Sequence, residues 1–421
     1  MAERRAYSQA ANTGQYEKPS GLSGKYDNVR RFWEDQVIRM FLRPALNNLA
    51  ERKRRELGRI RILDLGCGNG DGYDLLMGVA NKDPGLYEYI TRTITPDMLS
   101  EYVGLDINED LLKQAKDYYG QYPKVRFLQG DISNGLPSFV LEEDPFDIYF
   151  TSYGTLSHFH DHQTAKLFSD ICKHAPKGAL LVGDWLGRYS YEWQDLWHHP
   201  IDEEYFMDYR ISYIYPDKEC QNHDVAVFPL RLMTRDEIMQ IVNQAALESD
   251  TKIEPLVFFD RSISLGRHMD TGDYNKNCHK HMRGAINSLF EGYVRTDMER
   301  LLADYVPRSG FGYLNNFFEK FFMCCNTLVK YTISLLSASD LKSEDLMDEA
   351  HDILPFYPDP LKEVMHSMQK VIRGVGWLKW GDVRANVIES HLGYSLRKLE
   401  MDLQPGVGMG HGLIGIFEIK K

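Results

Sequence analysis

A strand, a glycine turn and a helix follow one another without a break in residues 59–80, RIRILDLGCGNGDGYDLLMGVA. Glycine at Gly66, Gly68 and Gly70 allows positive φ and lets backbone approach a ligand closely at a helix N-terminus. The same succession recurs in YVGLDINEDLLKQAKDYYG (102–120), then in a third strand, VRFLQGDIS (125–133). FDIYFTSYGTLSHF (146–159) runs from a fourth strand into a turn and a helix ended by Gly178, and ALLVGDWLG (179–187) reads as a fifth strand. Thr234 and Glu237 form a capping box that opens another helix. IEPLVFFDRS (253–262) is a sixth strand and GHGLIGIFEIKK (410–421) a seventh. Strands alternating with helices predict an α/β fold. The expected architecture is doubly wound, with a seven-stranded, mostly parallel sheet and a largely helical insertion before the last strand.

The expected organisation is a flexible N-terminus and lid helix over 1–57, a core over 58–259, a helical insertion over 260–403 and a final core strand over 404–421. Residues 1–24 are rich in Gly, Ser and polar side chains; 27–57 has helical spacing, with Pro44 expected to kink or divide it. The stretch 317–337 is apolar, but Glu319, Lys320 and Lys330 make it a buried helix rather than a membrane span. Six irregularly spaced cysteines, with Cys324 and Cys325 adjacent, fit a reduced, cytoplasmic protein, and the polar N-terminus is not a secretory signal. A formal net charge of −12 disfavours DNA or RNA as a partner.

The glycine turn does not fit a dinucleotide fingerprint. G-x-G-x-x-G counted from Gly66 puts Asp71 at the third glycine position, and counted from Gly68 puts Tyr73 there. An acidic residue followed by G-x-G-x-G resembles the first motif of the Rossmann-like (class I) S-adenosylmethionine-dependent methyltransferases. The resemblance spans roughly 58–186. It implies S-adenosylmethionine as cofactor, with Asp64, Gly66, Gly68 and Gly70 in the loop around its methionyl part and Cys67, within that loop, also at the cofactor. Asp106, which ends the second strand and is followed by Ile107, matches the carboxylate for the ribose hydroxyls. Asp131 and Ile132 match the pair at the adenine, Ser152 flanks the methionyl end, and Tyr26 closes from an N-terminal lid. Residues 80–101 are then an inserted loop. In this family the sixth strand is parallel and the seventh antiparallel, so the 260–403 insertion leaves and returns at the cofactor edge, where it would cover the substrate.

SHFHDHQ (157–163) raises the possibility of a metal, because His158, His160 and His162 alternate. A helix beginning near Asp161 would break the convergence of those rings, so no metal is expected there, nor at NCHKH (277–281). His158 matches a position where many small-molecule methyltransferases carry His, and His160 and His162 are expected to face solvent. His158 and Tyr153 are the candidate catalytic residues, with Asp184 and His268 as further candidates for a base. Thr151-Ser152-Tyr153-Gly154 replaces the Asn/Asp-Pro-Pro-aromatic motif of the amide and base N-methyltransferases. The aromatic-rich 185–215 is read either as a substrate roof or partner surface, or as core packing. The expected function is methyl transfer to an O or N atom of a small molecule, without DNA or membrane partners. The rival readings are methylation of an RNA end such as a cap guanine, and a catalytically silent cofactor-binding scaffold. Neither the acceptor nor the oligomeric state is encoded in a recognisable motif.

Overall fold

The computed structural model describes residues 2–421 except 13, 15, 19–21, 23, 84, 86, 199–202, 212–225, 266–273, 279–281, 342–356 and 379–380. Two helices, α1 (Ala2–Asn12) and α2 (Asp35–Arg55), precede the first strand. The chain then alternates through β1 (Ile60–Leu65), α3 (Asp71–Met77), β2 (Leu99–Asp106), α4 (Glu109–Tyr119), β3 (Val125–Gln129), α5 (Ser138–Leu141), β4 (Ile148–Phe150), α6 (Asp161–His174) and β5 (Leu180–Gly187). A hairpin of β6 (Phe206–Arg210) and β7 (Val227–Met233) leads into α7 (Arg235–Ser249) and β8 (Lys252–Arg261). The connection onward holds α8 (Met282–Leu289), α9 (Gly312–Leu341), α10 (Asp359–Gly374) and α11 (Ser390–Leu403), and β9 (Gly412–Lys420) ends the fold.

The strands β3-β2-β1-β4-β5 are parallel neighbours, β9 lies antiparallel beside β5, and β8 pairs antiparallel with β9. The sheet has nine strands among the described residues, not the seven expected, and is mostly parallel. The two additional strands are the β6–β7 hairpin, joined to the carboxyl end of β5 through Leu186↔Leu232 and Gly187↔Met233. These strands are short and far apart in sequence, so neither presented a periodic signal. β1 and β5 are apolar on both faces because helices cover both. One core lies under α2, α3, α4 and the insertion, and the other under α6 and α7. The expected inserted loop is present: β2 begins only at Leu99, after an isolated bridge between Ala80 and Arg92.

One expectation about the N-terminal region fails, and of the two alternatives for Pro44 division is excluded. Residues 2–12 form a helix rather than a flexible tail, because the small side chains of Ala6, Ala10 and Ala11 pack closely in the core while α1 lies against α4 and β7. Pro44 does not divide the following helix: α2 runs through it unbroken, with Val37, Ile38, Leu42, Leu46 and Leu49 buried along one side. Their burial, at roughly 1.5–3 kcal/mol each, outweighs a proline cost of about 3 kcal/mol. The irregularity lies instead in the π-turn Arg30–Glu34 just before α2.

The apolar stretch 317–337 lies within α9, whose Phe318, Phe321, Phe322, Leu328 and Val329 are buried. No helix among the described residues is long and apolar enough to cross a membrane. The aromatic segment after β5 packs into this helix: Tyr191 meets Phe318 and Phe322, and Trp197 stacks on Phe318. Trp185, Trp193 and Trp197 are at most 1% exposed, so these three side chains are core and not an open roof.

Candidate active site

β1 ends at the glycine turn, where Gly66, Gly68 and Gly70 all have positive φ, at 70°, 53° and 90°. A β-carbon on Gly66 would collide with Thr155, and one on Gly70 with Tyr119, whereas one on Gly68 would meet nothing within 4 Å. The outer two glycines are therefore demanded by packing, and the middle one leaves open space above the turn. Cys67 is buried; its amide donates to the Leu105 carbonyl at 2.9 Å and ties the turn to β2.

Asp64 is fully buried at the end of β1. Its Oδ2 accepts the Tyr102 hydroxyl, and its Oδ1 has no hydrogen-bond partner among the described residues. Burial pushes its pKa up to about 7. Gly72 has to be glycine for this carboxylate to fit, since a β-carbon there would overlap Asp64 Oδ2. At the end of β2, Asp106 accepts the Gly68 amide at 2.8 Å on one oxygen and the Asn108 amide at 2.8 Å on the other. Each oxygen keeps a second acceptor lone pair for a ligand hydroxyl. Ile107, beside it, is 44% exposed. Beyond β3, Asp131 is exposed and Ile132 buried.

The β4 edge is held by charge. Asp184 of β5 accepts the amides of Tyr153 at 2.7 Å and Gly154 at 3.1 Å and pairs with Arg261 at 3.3 Å. Tyr153 takes φ +55°, its ring lies between the Arg30 and Arg261 guanidiniums at 3.0 and 4.5 Å, and its hydroxyl donates to Asp35. Burial holds that phenol protonated well above its usual range. Asp184, a candidate base in the sequence, is thus a clamp on the β4 turn. Ser152 is buried in this turn, its carbonyl accepting the Thr155 hydroxyl at 2.8 Å. His158 ends the next short turn, half-buried against Tyr7 of α1 and Phe228 of β7.

His160 and His162 are exposed, as expected. His160 caps α6 together with Gln163, and its Nδ1 lies 2.7 Å from Glu204. Among the described residues no group of three His, Cys, Asp or Glu is arranged to hold a metal. His268, His279 and His281 lie outside the described residues.

Sequence reasoning missed the ionic lock on the far side of the glycine turn. Asp71, the first residue of α3, pairs with Lys18 at 2.9 Å, Lys25 at 3.1 Å and Arg30 at 3.0 Å and accepts the Tyr26 hydroxyl. Burial would push its pKa up, but Lys18, Lys25 and Arg30 hold it well below the usual carboxylate range. The same hydroxyl lies 2.7 Å from Asn69 Oδ1 in the turn. The insertion grips the same N-terminal segment. Arg283 of α8 pairs with both oxygens of Asp27 at 2.7 and 2.8 Å and with Glu34 at 2.9 Å. Glu400 of α11, pushed up to about 7 by burial, accepts the Trp33 indole at 2.9 Å. The abundance of basic residues in 18–31 was the only trace of this in the sequence.

Residues 58–186 match a family described as "Methyltransferase domain". This segment is a methyltransferase domain, in which the acidic residue, the glycine turn and the second-strand carboxylate resemble the motifs of the class I S-adenosylmethionine-dependent enzymes. Solved structures that align include an S-adenosylmethionine-dependent methyltransferase from Clostridium acetobutylicum, 15% identical, covering 52% of this chain and 83% of that one, with a TM-score of 0.32. An amino pentose methyltransferase from Micromonospora echinaspora is 13% identical over 60% of this chain and 90% of its own, with a TM-score of 0.31. A glycopeptide N-methyltransferase complexed with sinefungin aligns at 15% identity over 51% and 78%, with a TM-score of 0.33. No curated protein matches.

Proposed function

We propose that the whole chain transfers a methyl group from S-adenosylmethionine to an oxygen or nitrogen atom of a small molecule in the cytoplasm. The observation that carries this is the pairing of a buried, unsatisfied carboxylate oxygen on Asp64 with open space over Gly68. A buried acceptor of that kind costs about 1–3 kcal/mol unless something donates to it. A cationic ammonium above the turn would satisfy it. Asp106 is pre-oriented by two backbone amides to take the ribose hydroxyls, Ile107 and Ile132 offer apolar surface at the adenine end, and Asp131 is exposed to take its amine. Ser152 and Cys67 line the methionyl end, with Tyr26 closing over the turn.

When bound, the cofactor supplies a methyl carbon on a sulfonium, open to in-line displacement. The chain's own work is then mostly positioning and exclusion of water, which can supply roughly 7–11 kcal/mol of the barrier. The Tyr153 ring, fixed by Arg30, Arg261 and Asp35, forms a rigid wall at the β4 edge. With its phenol held protonated, Tyr153 shapes the site and does not accept a proton. His158 lines the same edge beside Phe228. The insertion, bolted to the N-terminal segment through Arg283 and Glu400, supports the reading that 260–403 roofs the acceptor. The net charge of −12 favours a small acceptor over a nucleic acid.

The test is calorimetric titration with S-adenosylhomocysteine, followed by incubation with methyl-labelled cofactor and fractionated cell extract. Binding and label transfer to a low-mass product are expected. Absence of binding would sink the proposal, and label appearing only in RNA would replace it with the RNA-end reading.

A further inference from the structure

We propose that Tyr102 is a positioning residue for the methyl donor: its hydroxyl fixes Asp64 so that one carboxylate oxygen is presented, ionised, to the donor's ammonium. The inference rests on the methyl-transfer reading above and adds the residue that fits Asp64 for its part in it.

Strand register aims the hydroxyl. Across the parallel pair of β1 and β2, Tyr102 lies opposite Ile62 and Gly104 opposite Asp64. Tyr102 is therefore two residues behind the carboxylate on the same face of the sheet. Its side chain spans that gap, and its hydroxyl donates to Asp64 Oδ2. The ring is fully buried, with Tyr73 of α3 against it edge-on at 5.2 Å and Phe127 of β3 at 6.1 Å.

Oδ2 is enclosed from the other side as well. A β-carbon on Gly72 would overlap it, so no side chain fits between α3 and the carboxylate. With Oδ2 committed, Oδ1 is the oxygen left for a ligand, and it has no hydrogen-bond partner among the described residues.

The charges around Asp64 show why a donor is needed. Burial, Asp71 and Asp106 all oppose a negative charge on it. Lys18, Lys25 and Arg30 are engaged with Asp71. The Cys67 thiol, pushed well up by burial, stays neutral. Burial also pushes the Tyr102 phenol well up, so it keeps the proton it donates, and the Tyr119 phenol that faces it is pushed up by burial too. Among the described residues, Tyr102 is the group whose hydrogen bond favours the ionised form of Asp64. A phenol that merely found a partner in Asp64 would leave ligand binding unchanged when its hydroxyl is removed.

The test titrates the full chain with S-adenosylhomocysteine, which carries the donor's ammonium, by calorimetry at pH 6, 7 and 8.5. The ligand's own ionisation is common to all the titrations and cancels between proteins. Tyr102→Phe should weaken binding by about 3- to 5-fold at pH 7 and by less than about 2-fold at pH 8.5, because loss of the bond moves the ionisation of Asp64 up by about one pH unit or more. In an Asp64→Asn background the same substitution should change affinity by less than about 2-fold at any pH, since the two residues act as a unit. Thermal melting checks the fold. Tyr102→Met, apolar and of similar reach, is the second variant should Tyr102→Phe not fold. Equal weakening at every pH, no weakening at any, or an effect that persists without the Asp64 carboxylate would overturn the assignment. A native affinity that does not rise between pH 6 and pH 8.5 would also overturn it, while leaving the methyl-transfer reading standing. A protein that binds no S-adenosylhomocysteine at any pH would remove that reading as well.

Discussion

Asp64 and Asp71 bracket the same glycine turn, yet they sit in opposite electrostatic settings. Among the described residues, buried Asp64 has the Tyr102 hydroxyl as its side-chain partner and one oxygen unsatisfied. Asp71, seven residues on, is saturated by Lys18, Lys25, Arg30 and Tyr26. The first carboxylate has unused capacity and is suited to a ligand; the second has none left and is suited to holding protein to protein. A motif that shows two acids around a turn does not say which is which. The difference comes from what the N-terminal segment brings to one side only.

The largest expected effect is on the saturated side. Asp71→Ala leaves three cations facing one another in a nearly closed space, and stability should fall by about 3–5 kcal/mol, read by urea unfolding. The segment before α2 should become sensitive to limited proteolysis at the same time. A loss below about 1 kcal/mol would mean that water already compensates the cluster.

Arg283→Ala is expected to cost slightly less, about 3 kcal/mol, because Asp27 keeps the Asn287 amide at 3.1 Å and Glu34 keeps the Ser262 hydroxyl at 3.0 Å. The same measurement checks it, and the double-mutant cycle with Asp71→Ala should show coupling through the shared N-terminal segment. Strict additivity would indicate that lock and insertion hold separate units.

On the ligand side, Asp106→Ala should weaken S-adenosylhomocysteine by about 10- to 100-fold, from loss of charge-assisted bonds worth roughly 1.5–3 kcal/mol. Melting temperature should fall modestly, because the Gly68 and Asn108 amides lose their acceptor. Unchanged affinity by calorimetry would remove Asp106 from the site.

The smallest effect concerns Asp64. Its pKa of about 7 in the folded protein exceeds the ordinary carboxylate value, so the native state binds a proton that the unfolded chain has released. Stability therefore falls as pH rises from about 4 and levels off above about 7. Asp64→Asn should flatten that slope. Binding of a cationic cofactor favours the ionised form, so affinity should rise by about 3- to 10-fold across neutral pH, with proton release. Calorimetry in buffers of different ionisation enthalpy measures that proton, and its absence would place the ammonium elsewhere.

Much of the sheet was legible because it is built from local signals. The β1–turn–α3 run, the Asp106 strand end, the Thr234 capping box and the inserted loop before Leu99 each follow from consecutive residues. Residues 2–12 were misread together with the Gly- and Ser-rich stretch that follows them, although Ala, Glu and Arg favour helix, and at Pro44 burial of the apolar side overrode a local preference against helix. The β6–β7 hairpin escaped notice because its two short strands are joined by a long intervening stretch.

The sequence by itself determined the fold class, the order of the core strands and the residues of the glycine turn, since strand period, glycine φ and capping depend on neighbours in the chain. Only the tertiary structure decided that Asp71 is locked and Asp64 is not, that Tyr153 is pinned between two arginines, and that Glu192 faces His411 across a separation of 219 residues. Those contacts join segments remote in the chain, and the strength of a buried charge depends on what surrounds it in space rather than on its neighbours in sequence.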